Sequence, residues 1–516
     1  MVWLWMGLFG ATGCGGDGGP VDGSTTATSL PSGASADTAV PIPEFPAPDA
    51  RPALRGPGGP ARSFSADELF TGCRGQLEGG PGGWDHHNLV APYRGHLVLP
   101  WASEWGDGGL SLFDVSDPCA PVKVADSYAQ RMRETHAIGL LHLPEGDPHA
   151  GDYAVVNAWH GVLIWDLSDP DDIVQLSEVV IDGVFWPDAY ARVAFSVFWQ
   201  YPYLYLAAAD NGIYVIDTTD PAAPELVSQY TFDPVLRAGG VFVNGTEMLV
   251  VSAEQTEAAL LDVSDPFAPQ LHPGGRFTVR SADGEAREVY AGNMVGPHAL
   301  FARKSGGGGP IVYDITDPTA PAFVGDYHEA DGNGGYIFAH EGILFVGNSH
   351  SGDVYDATDP TTIGKVGRGD LAGDLDTVVP FGNVAVLSVD DEAEDGVASV
   401  LVPWTTEPDA RGPRVGRVVP ADGATSVRTT ARIGVGFDEL IEPSSVHAGS
   451  LRVSDPDGRP VAGWGSAQET TAHWVPSEPL RPSTTYTVEV MAGGILDATG
   501  NPVEQTTTTT FTTGAL

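Results

Sequence analysis

One seven-residue phrase recurs along this chain: an apolar residue, any residue, Asp, any residue, Ser or Thr, Asp, Pro. It reads LFDVSDP around Asp114, IWDLSDP around Asp166, VIDTTDP around Asp217, LLDVSDP around Asp262, VYDITDP around Asp314 and VYDATDP around Asp356. Successive first aspartates lie between 42 and 52 residues apart, and a decayed seventh copy, LVPWTTEP (401–408), carries Pro403 in place of the aspartate. The surroundings repeat as well. An alternating apolar stretch such as YLYLAAA (203–209) precedes a turn and an apolar strand that ends in the motif, as in GIYVID (212–217). A short strand such as PELVSQY (224–230) follows, and a fourth stretch such as GGVFVNG (239–245) leads into the next hairpin. Four short strands per repeat of this length make one β-propeller blade. A single blade cannot bury both of its faces, so successive blades must stack around an axis. Seven copies between about residues 84 and 408 predict a seven-bladed ring. The seventh copy has no evident fourth strand after it, and residues 64–78 are expected to supply that strand and close the ring.

GIYVIDTTDPAAPELVSQY (212–230) and its companions resemble the LVIVD repeat, found in propellers of bacterial and archaeal surface proteins. The resemblance implies a propeller on the cell surface and transfers no catalytic residue. The repeated Asp114, Asp166, Asp217, Asp262, Asp314 and Asp356 read first as turn locks. A carboxylate accepts hydrogen bonds from nearby amides, and Asp-Pro starts a turn. Calcium is the alternative, but one Asp pair per blade offers few convergent oxygens.

From Pro413 the vocabulary changes. RVVPADGATSV (417–427), IGVGFDELIEPSSV (433–446), LRPSTTYTVEV (480–490), the turn Asp497-Ala-Thr-Gly-Asn501 and a Thr-rich strand ending in Phe511-Thr512-Thr513 are short strands between turns, the pattern of a β-sandwich. In the same order they resemble the bacterial Ig-like domain first described in surface-layer proteins (SbsA-like), which implies a spacer or adhesive module. The expected fold class is therefore all-β, a seven-bladed propeller at 63–410 followed by an Ig-like sandwich at 411–516.

The chain starts MVWLWMGLFGATGCGG, an apolar run leading into small residues and Cys14. Residues 1–14 resemble a bacterial lipoprotein signal, which implies lipidation of Cys14; a chance apolar terminus is the alternative. Residues 15–62 are Gly, Pro, Ser, Thr, Ala and Asp with few aromatics, a composition that predicts a disordered tether. With Cys14 consumed by lipid, Cys73 and Cys119 form an even pair, read as a disulfide of an oxidising compartment or as two buried thiols. The 68 acidic against 25 basic residues give a net charge of −43, which repels phosphate and excludes nucleic acid as a partner class. Membrane contact is expected only through the lipid anchor, in the cell envelope: outer membrane, cell surface or periplasm. A monomer is expected.

Catalytic motifs are not met. His340-Glu341-Gly342 begins like a zinc-protease helix but has Leu344 where a histidine is needed and sits in a strand context. Asp390–Gly396 reads as a solvated acidic hairpin tip. One constellation remains. Propeller ligands sit at the central channel, and counting back from the hairpins places His86, His87, Glu134, His136, Arg192, Arg237, His298, Asp374 and Asp376 near its mouth. They are read as polar residues lining a wet channel mouth or as a transition-metal set. Arg192 and Arg237 oppose a metal and favour an anionic ligand such as a carboxylate or sugar acid. Trp84, Trp101, Trp105 and Trp159 are candidates to stack on a glycan. The sequence reading is thus a non-catalytic binding, adhesion or scaffold protein for a surface protein or glycan. No cofactor is expected, with calcium or a transition metal as the minor alternatives. An exported metal-assisted hydrolase or lyase using the channel residues is the alternative function.

Overall fold

The computed structural model describes residues 59–60, 62–80, 87–104, 106–185, 191–390 and 393–515. Cys14, His86, Trp84 and Trp105 lie outside the described residues. The fold is all-β, a propeller followed by an Ig-like sandwich, and the strands among the described residues form nine four-stranded sheets. Seven of these belong to residues 75–403, each antiparallel throughout, and from the second to the seventh the first strands of successive sheets pack on one another.

The sheet containing VIDTTDP shows why this sequence builds a blade. Its strands are Ser196–Gln200, Tyr203–Ala207, Ile213–Asp217 and Glu225–Tyr230. Side chains alternate between the faces of a strand. Leu204, Leu206, Tyr214 and Ile216 enter one apolar core, while Tyr205, Ala207, Ile213 and Val215 enter another. Both faces of the middle strands are therefore covered by neighbours, and both must be apolar. The outer strand touches neighbours less, and its residues are all exposed or half-buried. Gly212 makes the hairpin between the middle strands at φ +78°, where a Cβ would lie 2.1 Å from the Tyr230 carbonyl oxygen.

The recurring motif locks two consecutive turns. The first aspartate of each copy accepts the backbone N–H two residues on, at 2.9 Å for Asp114, 2.8 Å for Asp166 and Asp217, 2.7 Å for Asp262 and Asp314, and 3.0 Å for Asp356. The second aspartate repeats the device, from Asp117 on Cys119 to Asp359 on Thr361. In all six sheets the pairing of third and outer strands slips register one to three residues before the first aspartate. A bulge followed by two carboxylate-capped turns thus launches every outer strand.

The decayed copy lacks that launch. Its sheet takes Thr377–Phe381, Val384–Ser388 and Ser399–Pro403 from the end of the propeller segment and its outer strand, Gly75–Gln76, from the start. Gly75 pairs with Leu401 and Gln76 with Val400. Nearby, Phe70 N–H donates to the Pro403 carbonyl at 2.7 Å and Phe64 N–H to Thr406 at 2.8 Å. Cys73 and Cys119 form a disulfide with Cα atoms 4.5 Å apart, joining this closing segment to the motif turn of the first sheet.

The last two sheets face each other across one core containing Ile433, Val435, Trp474, Tyr486, Val488 and Phe511. This sandwich is seated on the propeller. Gln468 accepts from Trp199 N–H at 2.7 Å and donates to the Val197 carbonyl at 2.8 Å. Arg432 donates to Gln200 Oε1, the Tyr205 hydroxyl and the Val263 carbonyl. Gly434 approaches so closely that a Cβ there would meet Gly245 N at 2.0 Å.

Candidate functional site: the distal mouth of the propeller channel

The first strand of every sheet runs from one mouth of the channel to the other. The hairpins after these strands, such as Tyr201-Pro202 and Asn244-Gly245, carry the Ig-like domain. The residues before the strands therefore form the distal mouth. There a cavity of about 120 Å³ is lined by Glu104, Arg133, Glu134, His136, Phe195, Arg237, Glu254, Tyr290, Lys304, Asp374, Asp376 and Asp390, with Val193 and Ala253.

Five sheets hold its polar floor. Asn157 fixes the segment before the second sheet's first strand, accepting from His136 N–H at 3.0 Å and donating to the Glu134 carbonyl at 2.8 Å. The Glu134 carboxylate accepts from Asn88 and lies 3.5 Å from His136 Nε2. Tyr336 bonds His136 Nδ1 through its hydroxyl, and Thr377 donates to Asn88 Oδ1 at 2.9 Å. Lys304 Nζ sits 4.3 Å above the Tyr290 ring.

Three aspartates crowd the other side. Asp390 N–H donates to the Asp374 carbonyl at 3.1 Å, and Asp376 is 2% exposed. Oδ1 of each of these aspartates is buried without a hydrogen-bond partner among the described residues. Burial pushes the Asp376 carboxyl up, with Lys304 opposing and Asp374 and Glu134 reinforcing. Burial raises Asp390 as well, followed by repulsion from Asp376, Glu134 and Asp374. Arg237 is engaged by Asp210 at 3.1 Å. Arg133 donates to the Ala194 carbonyl at 3.3 Å and lies over Phe195. Six carboxyl groups thus face three cationic side chains, and the cavity suits a positively charged group.

This placement corrects several expectations. His298 begins a second strand, after the hairpin, paired with Asp314; it lies at the mouth that carries the Ig-like domain. A histidine on the near side of a hairpin and one on the far side differ by the full length of a strand. His87 points between sheets to Ser399 Oγ at 2.9 Å. Arg192 turns to Asn211 Oδ1 at 3.1 Å, so the expected pair of cations, and with it the preference for an anion, is not assembled. Trp101 is 1% exposed inside the first sheet, and Trp159 stacks on Phe185 while donating to the Met132 carbonyl. Neither is an open glycan platform. Asp390 is no solvated hairpin tip but part of the cavity wall. Glu134, His136, Arg237, Asp374 and Asp376 do come together, and Lys304, Asp390, Glu104 and Tyr336 join them. The sequence signal for Lys304 was its rarity, as one of three lysines with Lys123 and Lys365.

Beneath the cavity the channel becomes aromatic, lined by Phe195, Tyr290, Tyr336 and Phe338, and the Ig-like domain closes it with Glu469. Burial pushes the Glu469 carboxyl up to about 8, with Asn293 opposing through a hydrogen bond.

No helix among the described residues is long and apolar enough to cross a membrane. No curated protein matches the chain. Among solved structures it is similar to a protein from Lactobacillus plantarum at 14% identity and TM-score 0.44, covering 58% of this chain and 92% of that one. It is also similar to the computationally designed Ika8 protein at 12% identity and TM-score 0.43, covering 65% and 99%. A third similarity is to U3-55K at 8% identity and TM-score 0.47, covering 67% and 100%. Two family models match segments: the LVIVD repeat at residues 196–232 and the bacterial Ig-like domain at residues 409–513. The chain thus carries an LVIVD repeat within its propeller and a bacterial Ig-like domain after it, the build of a β-propeller surface protein.

Proposed function

We propose that this is a non-catalytic binding protein of the bacterial cell envelope, lipid-anchored through Cys14, whose propeller receives a cationic group of a surface protein or glycan at the distal mouth. The observation that carries the reading is the cavity in which Asp374, Asp376 and Asp390 each leave a buried carboxylate oxygen without a partner. Ammonium and guanidinium groups are the donors such oxygens accept most strongly. The Ig-like domain supports the reading by occupying the other mouth, which orients the distal one away from it. The Cys73–Cys119 bond is in keeping with an oxidising compartment.

Calorimetric titration with a lysine- and arginine-rich peptide, an amino-sugar oligomer and a glucuronate oligomer tests the ligand class. Binding of a cationic probe that weakens at least tenfold in Asp376→Asn supports the reading. Preference for glucuronate, or binding indifferent to Asp376 and Asp390, overturns it. Labelled fatty acid should enter the protein and be lost in Cys14→Ser.

A further inference from the structure

A second acidic constellation lies at the junction of the two domains. Its residues come from three places. His340 ends the first strand of a propeller sheet, Asp409 belongs to the connecting segment, and Glu439 and Asp497 belong to the sandwich. Asp409, Glu439 and Asp497 each offer an oxygen, and these atoms lie within 4.8 Å of one another. His340, Glu341 and Asp409 form a second group of the same size, sharing Asp409.

The cations nearby do not balance these acids. Arg411 and Arg414 both pair with Glu341. The imidazole of His340 stands 3.0 Å from Glu439 Oε2 through Nδ1 and 3.8 Å from Asp409 Oδ2 through Nε2. That leaves one imidazole against three carboxyl groups, two of which, Glu439 and Asp497, are 2% and 1% exposed. Glu439 Oε1 is buried with no hydrogen-bond partner among the described residues. Buried carboxylates at this spacing are stable when protonated or when they share a cation.

We propose that the junction is a calcium site, with Asp409, Glu439 and Asp497 as its carboxylate ligands. A donor set of oxygens alone selects a hard cation, and Ca²⁺ accepts irregular geometry and a carboxylate-rich shell more readily than Mg²⁺ does. An ion held there ties the connecting segment to the sandwich beside the propeller hairpin at Glu341, whose N–H donates to the Asp438 carbonyl at 3.0 Å. Calcium would then strengthen the seating of the Ig-like domain and act independently of the ligand at the distal mouth.

The test uses the full chain stripped with EGTA, titrated calorimetrically with CaCl₂ from the micromolar to the millimolar range and melted with and without the ion. The expected result is one Ca²⁺ per chain and a rise in Tm. Glu439→Gln and Asp409→Asn should each weaken the affinity at least tenfold. Asp409 is the less buried, so its variant reads the site even where Glu439→Gln fails to fold. Absence of binding and of a Tm shift in the parent protein overturns the proposal, as does unchanged affinity in both variants. Loss of the calcium signal in Asp390→Asn would place the ion at the distal mouth and equally overturn it. Tighter binding of Zn²⁺ than of Ca²⁺ would refute the oxygen-only donor set.

Discussion

The two mouths of the propeller channel are built from the same repeat yet serve different ends, one carrying the Ig-like domain and the other opening into an acidic cavity. At the mouth that carries the Ig-like domain, buried polar side chains bridge the two domains, although Asn244, His473 Nε2, Glu469 Oε2 and Glu439 Oε1 keep atoms without partners among the described residues. Gln200 Nε2 meets the Gly245 carbonyl and His473 Nδ1, Arg432 meets three acceptors, and Gln468 both donates and accepts. At the distal mouth three aspartates keep orphaned oxygens around a cavity. Hydrogen bonds between domains hold an interface, whereas an orphaned polar atom beside an open cavity costs stability that a complementary ligand can recover. The contrast separates an assembly surface from a recognition surface within one ring.

Breaking the docked mouth should have the largest effect. Arg432→Ala removes a 2% exposed guanidinium and strands the Gln200, Tyr205 and Val263 acceptors, so a loss of about 3–5 kcal/mol is expected in denaturant unfolding. Separate melting of the two domains would be its signature, and an unchanged midpoint would count against a tightly held interface. Next comes the ring closure, which belongs to neither mouth. Cys73→Ser with Cys119→Ser opens the staple and should cost about 2–4 kcal/mol, measured by thermal melting, while ligand affinity at the distal mouth stays the same.

The distal mouth should respond with the opposite sign. Asp390→Asn relieves a buried, repelled carboxyl, so the ligand-free protein should gain about 1–2 kcal/mol near neutral pH while losing affinity for cationic probes. A destabilised variant would show that Asp390 is already satisfied. The effect confined to one pH range is expected at Glu469, between the mouths. Its carboxyl is raised to about 8 in the folded protein, well above its unfolded value, so the folded state holds this proton more tightly. Its contribution therefore turns unfavourable as pH climbs from about 4.5 to about 8 and levels off beyond. Glu469→Gln should raise stability at pH 8, by at most about 4–5 kcal/mol, and leave it nearly unchanged at pH 4. Unfolding curves at the two pH values check this, and an equal gain at both would refute a titrating Glu469.

Much of the candidate site was legible. Glu134, His136, Asp374 and Asp376 could be placed because the strand that follows each has a countable length before its hairpin. His298 was misplaced because the same count, taken from the wrong side of Gly296-Pro297, moves a residue to the other end of the channel. Asp390 escaped because an acidic run reads as solvated unless the fold folds it inward. The junction cluster escaped because His340, Asp409, Glu439 and Asp497 are remote in the chain.

The sequence by itself determined the blade: alternating apolar strands, two aspartates to cap the turns that launch the outer strand, and a missing launch where Pro403 stands. These are local properties, set by periodicity of two and by hydrogen bonds spanning two residues. Only the tertiary structure decided which mouth the Ig-like domain covers, where Gly434 finds room against Gly245, and which carboxylates are left without partners. Those outcomes depend on contacts between segments far apart in the chain and on how much water each contact excludes, and no stretch of sequence carries that information alone.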